Sequence, residues 1–224
     1  MKIVVTGGLG FIGSHTVVEL QNEGFEVVAI DNLSNSSENV LDGIFNITGK
    51  KPIFEKMDLR DKASVQNFFK KHNDVVGVIH FAASKAVGES VENPLLYYEN
   101  NINSLVYLLQ ELKELPSANF IFSSSCTVYG QAEKMPITED ASVQPAMSPY
   151  GNTKTMCEDI LRDTITAGNK LKIIALRYFN PIGAHPSAHI GELPSGVPSN
   201  LVPFITQTAA GIRPKLMVFG SDYN

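Results

Sequence analysis

The sequence predicts an α/β protein whose core is a doubly wound parallel sheet, and three observations carry that expectation. Short runs rich in β-branched and apolar residues alternate with amphipathic helical segments over residues 1–179. Those runs are apolar almost throughout, as strands covered on both faces must be. A glycine-rich stretch joins the first run to the first helical segment, and an aspartate closes the second run.

Taken in order, the expected strands are Lys2 to Thr6, Glu26 to Ile30, Pro52 to Lys56, Val75 to His80, Asn119 to Phe122 and Lys172 to Leu176. Between them, Gly13 to Glu23, Asp61 to Lys71, Pro94 to Leu115 and Ser148 to Ala167 have helical spacing of apolar residues. Strands alternating with helices give parallel pairing through crossovers. From Asn180 to Asn200 the pattern breaks, with four prolines, three glycines and no strong period. A loop of that length inside a compact domain is usually functional or disordered. A helix over Leu201 to Ala210 and a strand over Leu216 to Phe219 are expected after it. The reading is therefore of a nucleotide-binding domain over 1–179 and the beginning of a smaller, substrate-covering lobe over 180–224, cut short soon after its first strand.

Composition narrows the function. With 43% hydrophobic and 18% charged residues, the 224-residue chain can bury one large core. Eighteen basic against twenty-three acidic residues, a net charge of -5, and no Lys/Arg run exclude a broad nucleic-acid surface. An anionic ligand would need a local site. Cys126 and Cys157 do not form a disulfide framework, which fits a reducing compartment. Met1 to Gly13 is too short and too interrupted by glycine for a leader or a membrane span. A cytoplasmic location without membrane attachment is expected.

The stretch TGGLGFIG places Gly7, Gly10 and Gly13 between a strand and a helix. Glycine there permits the tight turn, close approach to a pyrophosphate and tight helix packing, with the phosphates at the helix amino end. The context makes this a Rossmann-type dinucleotide site. Asp31, at the end of the second strand, can accept from both ribose hydroxyls and repels a 2'-phosphate, so NAD is expected rather than NADP. Asp58 and the Phe81–Ala82–Ala83 stretch hold further carboxyl-end positions, where ligands of open α/β sheets bind.

SPYGNTK supplies Tyr150 and Lys154, four residues apart on one helix face. A tyrosine titrates near ~10, so it acts as a base near neutrality only if its phenolate is stabilised. Lys154 and a positive nicotinamide ring would both do that. Ser125, in SSSCTVYG, could hydrogen-bond the same substrate hydroxyl while hydride leaves for NAD.

With these motifs in place, the chain resembles the extended short-chain dehydrogenase/reductase superfamily. Within it, HFAASKAVGES, SSSCTVYG, RYFNPIGAHPS and PSNLVPFI resemble the UDP-glucose 4-epimerase family along essentially the whole chain. That resemblance implies hydride removal from C4 of a UDP-hexose, rotation of the 4-keto sugar and return of the hydride to its other face. Tyr150 is then the base, Ser125 its partner, and Lys154 the anchor of the nicotinamide ribose. By resemblance the NAD contacts are Gly7, Gly10, Phe11, Ile12, Gly13, Asp31, Asn32, Asn35, Asp58, Leu59, Phe81, Ala82, Lys85, Asn100, Ser123, Tyr150, Lys154 and Phe179. Those toward the UDP-sugar are Lys85, Ser125, Tyr150, Asn180, Asn200, Leu201, Met217 and Phe219. A homodimer is implied as well. The helix stripe of Leu105, Leu108, Leu109 and Leu112 suits either a buried core or dimer packing.

The turn after Ser125 separates related chemistries. Superfamily members that dehydrate or decarboxylate nucleotide sugars carry a carboxylate there, because loss of water needs an added acid and base. Here Cys126 and Thr127 occupy it, with Cys126 expected to be a small buried packing residue where many relatives have alanine. Three functions stay open: a UDP-hexose 4-epimerase, a dehydratase or decarboxylase on the same fold, and a catalytically silent NAD-binding sensor. The missing carboxylate argues against the second and the intact Ser125, Tyr150 and Lys154 against the third. His185 and His189 lack a cysteine or acidic partner at ligand spacing, so no metal site is expected. His80 reads as a structural histidine.

Overall fold

The computed structural model describes residues 1–115, 118–132, 134–168, 170–194, 196–218 and 220. Six parallel strands form one sheet: β1 (Lys2–Thr6), β2 (Glu26–Asp31), β3 (Ile53–Lys56), β4 (Val75–His80), β5 (Asn119–Ser125) and β6 (Lys172–Tyr178). Their order is β3-β2-β1-β4-β5-β6, so the chain winds outward from β1 in both directions. The topology reverses between β1 and β4, and the carboxyl edge at such a point is where open α/β sheets take ligands. Strand registers keep like with like: Val4 faces Val28 on one side and Val78 on the other.

Helices cover both faces. On one lie α1 (Phe11–Asn22) and α2 (Asn39–Thr48), which enclose Val5, Val17, Val18, Ala29 and Ile44. On the other, α3 (Lys62–Lys71), α5 (Pro94–Leu112) and α6 (Pro149–Thr166) close a larger cluster around Val4, Val78, Phe120 and Phe122. Leu105, Leu108, Leu109 and Leu112 all belong to this cluster. The leucine stripe of α5 is therefore intramolecular core. A short helix, α4 (Val87–Glu92), precedes α5, and α7 (Leu201–Ala209) follows the proline-rich segment.

The expected strands and helices are present, with four differences. Helix α2 is not among the expected segments although Val40, Leu41, Ile44 and Ile47 give it an apolar face at helical spacing, whereas α4 is six residues long with mostly exposed side chains and offers no usable period. Strand β5 does not end at Phe122: Ser123, Ser124 and Ser125 stay in register with Leu176, Arg177 and Tyr178, which extends β6 as well. Cys126 lies beyond the strand, in a 3-10 turn over Cys126–Tyr129, and is partly exposed rather than buried, because the turn sends Val128 and Tyr129 inward instead. Leu216 to Val218 form no strand, and Phe219 lies outside the described residues.

The segment after β6 packs back against the helices that cover the sheet. Ala184 and Gly191 pair in an antiparallel bridge, and Ile190 is buried among the α1 and α2 side chains. A Cβ at Gly43 of α2 would stand 2.4 Å from the carbonyl oxygen of His189, so the two backbones touch there. This stretch reaches from the far edge of the sheet back to α2.

Candidate active site

The glycine turn has the close packing expected of it. Gly7 has a φ of +65°, and a Cβ at Gly13 would lie 2.0 Å from the Gly7 carbonyl oxygen. Any larger residue at Gly13 would push α1 off the turn. No side chain caps α1 at Gly10, which leaves the amides of Phe11, Ile12 and Gly13 at an open helix amino end. That is the arrangement a pyrophosphate requires.

Asp31 ends β2 almost fully buried, and its carboxylate organises the loop around it. One oxygen accepts from the Leu9 amide at 3.1 Å, the other from the Leu33 amide at 3.0 Å and the Ser36 hydroxyl at 2.8 Å. Leu33 is thereby held at a φ of +61°, a strained conformation for a leucine. A carboxylate has about four acceptor sites in all, so room remains for a ribose hydroxyl. Asn32 reaches Asp58 at 3.4 Å, and Asp58 receives the Arg60 guanidinium, whose hydrogen bonds hold its pKa down to about 2. Asn35 is exposed in the loop before α2, and the Leu59 side chain enters the core, which leaves only its backbone facing the site.

Strand β4 delivers Phe81 and Ala82 beside the glycine turn. Thr6 takes the Phe81 amide on its carbonyl at 3.1 Å and the Ala82 amide on its hydroxyl at 3.2 Å. The same hydroxyl shares a 2.7 Å hydrogen bond with Nδ1 of His80. His80 is buried between the rings of Phe120 and Phe122, and burial drives its pKa to about 3, so it is a neutral structural residue. Next in the chain, Ser84 is held by Asn100 and Asn101, and Lys85 is exposed after it.

Ser125, Tyr150 and Lys154 converge at the end of β5. Ser125 caps the 3-10 turn, accepting from the Thr127 amide at 3.2 Å. Tyr150 starts α6, where Ser148 caps the helix on the Gly151 amide. Burial raises the Tyr150 pKa, and a hydrogen bond with Ser125 pulls it partly back. Lys154 lies one turn on, its Nζ donating to the Ser123 carbonyl at 2.8 Å and standing 4.8 Å from the Phe122 ring centroid and 5.9 Å from that of Tyr150. Burial lowers its pKa to about 8. Burial thus dominates at Tyr150, so bringing the phenol down toward neutrality requires positive charge next to it.

The residues expected toward a sugar nucleotide are less gathered. Phe179 and Asn180 are exposed after β6, Leu201 is exposed at the start of α7, and Met217 is half exposed beyond it. Asn200 precedes α7 and donates to Glu192. Phe219 lies outside the described residues.

Two buried polar residues of the site were not singled out in the sequence. Asn101 accepts from the Ser84 amide and donates to the Ser84 carbonyl and to Thr153, whose hydroxyl in turn donates to the Tyr150 carbonyl. Its signal is an asparagine inside a helix, where that residue is disfavoured. Glu158 lies on α6 four residues beyond Lys154, continuing the Tyr150–Lys154 spacing, and binds Ser124 and Arg177.

The sequence matches the model of the NAD dependent epimerase/dehydratase family over residues 3–222. UDP-glucose 4-epimerase of Haemophilus influenzae is 53% identical over the whole chain, which spans 66% of that protein. The Bacillus subtilis protein of the same name is 52% identical, and the chain spans 65% of it. Among solved structures, UDP-glucose 4-epimerase from Stenotrophomonas maltophila with bound NAD and formylated UDP-arabinopyranose superimposes with a TM-score of 0.94 at 48% identity. That from Bifidobacterium longum in complex with NAD+ and UDP gives 0.95 at 44%. Each covers all of this chain, which spans 66% and 67% of their respective lengths. With its glycine turn, its Ser125–Tyr150–Lys154 cluster and this match along its length, the chain belongs to the NAD dependent epimerase/dehydratase family.

Proposed function

We propose that this chain carries the cofactor site and the catalytic residues of an NAD-dependent UDP-hexose 4-epimerase that interconverts UDP-glucose and UDP-galactose. The observation that carries the reading is the meeting of Ser125, Tyr150 and Lys154 at the carboxyl edge of β5, on the same edge of the sheet as the glycine turn and separated from it by β4. The names and ligands of relatives near 50% identity support it.

The residues fit NAD by their shape and charge. The uncapped start of α1 and the space kept free by Gly13 take the pyrophosphate, Asp31 takes the adenosine ribose, and its negative charge disfavours a 2'-phosphate. Phe81 and Ala82 flank the middle of the site, while Lys154 lies by the nicotinamide ribose. When bound, NAD supplies the hydride acceptor and a positive charge beside the phenol. Tyr150, as phenolate, takes the proton from the sugar 4-hydroxyl while Ser125 hydrogen-bonds the same oxygen. After the 4-keto sugar turns its other face, Tyr150 returns the proton to that oxygen. Asn180, Asn200, Leu201, Met217 and Phe219 hold the UDP-sugar in this account.

The turn beyond Ser125 carries Cys126 and Thr127 rather than a carboxylate, which favours epimerisation over dehydration. The protein acts as a cytoplasmic homodimer in galactose metabolism. Because the α5 leucines are core, the dimer contact uses another face. Incubation with NAD and UDP-galactose, followed by chromatography and mass spectrometry, tests the reading. UDP-glucose of unchanged mass is expected. A product lighter by one water, or no conversion by NAD-holding protein that spans the full length of its relatives, overturns it.

A further inference from the structure

Ser124 points its hydroxyl at a carboxylate that the proposed chemistry does not use. It donates to Oε1 of Glu158, a side chain that is 9% exposed, and Arg177 grips the same carboxylate with Nε at 3.0 Å and Nη2 at 2.8 Å. The Arg177 guanidinium lies 4.7 Å from the Tyr129 ring centroid. Four elements meet in this cluster: β5 through Ser124, the 3-10 turn through Tyr129, α6 through Glu158 and β6 through Arg177. Stability alone does not account for it, since buried ion pairs are often replaced by well-packed apolar residues at no cost. Each member adjoins a residue of the site. Ser124 precedes Ser125, Glu158 is one turn beyond Lys154, and Arg177 is followed by Tyr178, Phe179 and Asn180.

We propose that Glu158 is a positioning residue, which by clasping Ser124 and Arg177 fixes the end of β5 against α6 so that the Ser125 hydroxyl meets Tyr150. The three serines then have distinct tasks along α6. The Ser123 carbonyl holds Lys154 and the Ser124 hydroxyl holds Glu158, while Ser125 lowers the pKa of the Tyr150 phenol against the effect of burial. Released from Glu158, the strand end is free to shift, and a misplacement of about 1 Å at a reacting centre costs on the order of a hundredfold in rate. This inference rests on the epimerase reading for its kinetics, though not for its geometry.

The test separates positioning from support. The double variant Glu158→Met/Arg177→Met replaces the buried pair by apolar side chains of similar length and is expected to melt within a few degrees of the parent. Its kcat with UDP-galactose should fall at least tenfold, with KM and the NAD Kd within about twofold of the parent. In 13C-tyrosine NMR, with Tyr150 assigned through Tyr150→Phe, its phenol should titrate at higher pH once Ser125 is displaced. Ser124→Ala, which leaves the ion pair in place, should shift kcat and titration in the same direction, and Glu158→Gln should recover part of both. A folded double variant with parental kcat and titration overturns the proposal; if that variant does not fold, the same result in Ser124→Ala overturns it. A titration shift in protein whose parent does not epimerise supports the positioning and refutes the epimerase reading instead.

Discussion

Lys154 donates to the main-chain carbonyl of Ser123 at 2.8 Å, so the ammonium that would tune Tyr150 is itself tied to the strand end that presents Ser125. One cation thus links helix α6 to strand β5 from inside the protein, where it is almost fully buried. Desolvation holds its pKa at about 8. That position is unfavourable for stability and useful for chemistry.

Lys154→Met is accordingly expected to stabilise the protein at pH 7 while removing activity. The folded pKa lies below the unfolded one, so the unfolded state binds more protons between pH 8 and 10.5, and the cost of burying the charge is relieved as pH rises through that window. The displacement corresponds to roughly 3 kcal/mol at most, less what the Ser123 hydrogen bond returns. Melting temperatures of both proteins at pH 7 and pH 10 check it: the difference should narrow as pH rises. A less stable variant at pH 7 would show that the hydrogen bond outweighs desolvation.

Tyr150→Phe should keep the fold and the NAD affinity, because the phenol hydroxyl faces Ser125 rather than a structural partner. Removing a general base lowers turnover by about a hundredfold to ten-thousandfold. Steady-state kinetics beside NAD titration calorimetry measure both. Turnover within a few-fold of the parent would transfer the base to another group.

Asp31 orders its loop and, in the proposed cofactor site, sets the charge at the adenosine ribose. Asp31→Asn keeps an acceptor for Leu9 or Leu33 yet removes the negative charge. Discrimination between NAD and NADP should fall by at least tenfold, mainly through better NADP binding. Calorimetric titration of both cofactors gives the ratio, and an unchanged ratio would assign the selectivity elsewhere.

Acid should weaken the protein before its carboxylates titrate. His80 is held neutral with a pKa of about 3, so between pH 6.5 and 3 the unfolded state binds the extra proton and stability is lost as pH falls. From pH 6.5 to 4.5 this amounts to roughly 2–3 kcal/mol, and the lowered carboxylates of Glu158 and Asp58 add their loss only below that. Urea denaturation at several pH values should show the early loss in the parent and a flatter curve in His80→Gln.

Much of this architecture is legible in the sequence where a pattern repeats. Apolar runs located all six strands, and the spacing of Gly7, Gly10 and Gly13 located the turn that lies where the strand order reverses. Several residues were misread or passed over for one physical reason, which is satisfaction by distant partners. Three consecutive serines look like a strand end, yet Ser123 to Ser125 remain in β5 because β6 pairs their backbone and α6 pairs their polar groups. The α5 leucines offered a core or an interface equally, and only packing against Phe120 and Phe122 decides. Asn101 and Glu158 act through residues tens of positions away. No local period contains that information.

The hydrogen at C4 of the sugar reports directly on the proposed chemistry. Protein with bound NAD is incubated with UDP-galactose deuterated at C4, in ordinary water, and the product is read by NMR and mass spectrometry. Because the hydride leaves to the cofactor and returns to the same carbon while Tyr150 exchanges only the hydroxyl proton, the account predicts UDP-glucose with deuterium retained at C4 and no net accumulation of NADH. Loss of the label to solvent, stoichiometric build-up of reduced cofactor, or a dehydrated product would contradict it.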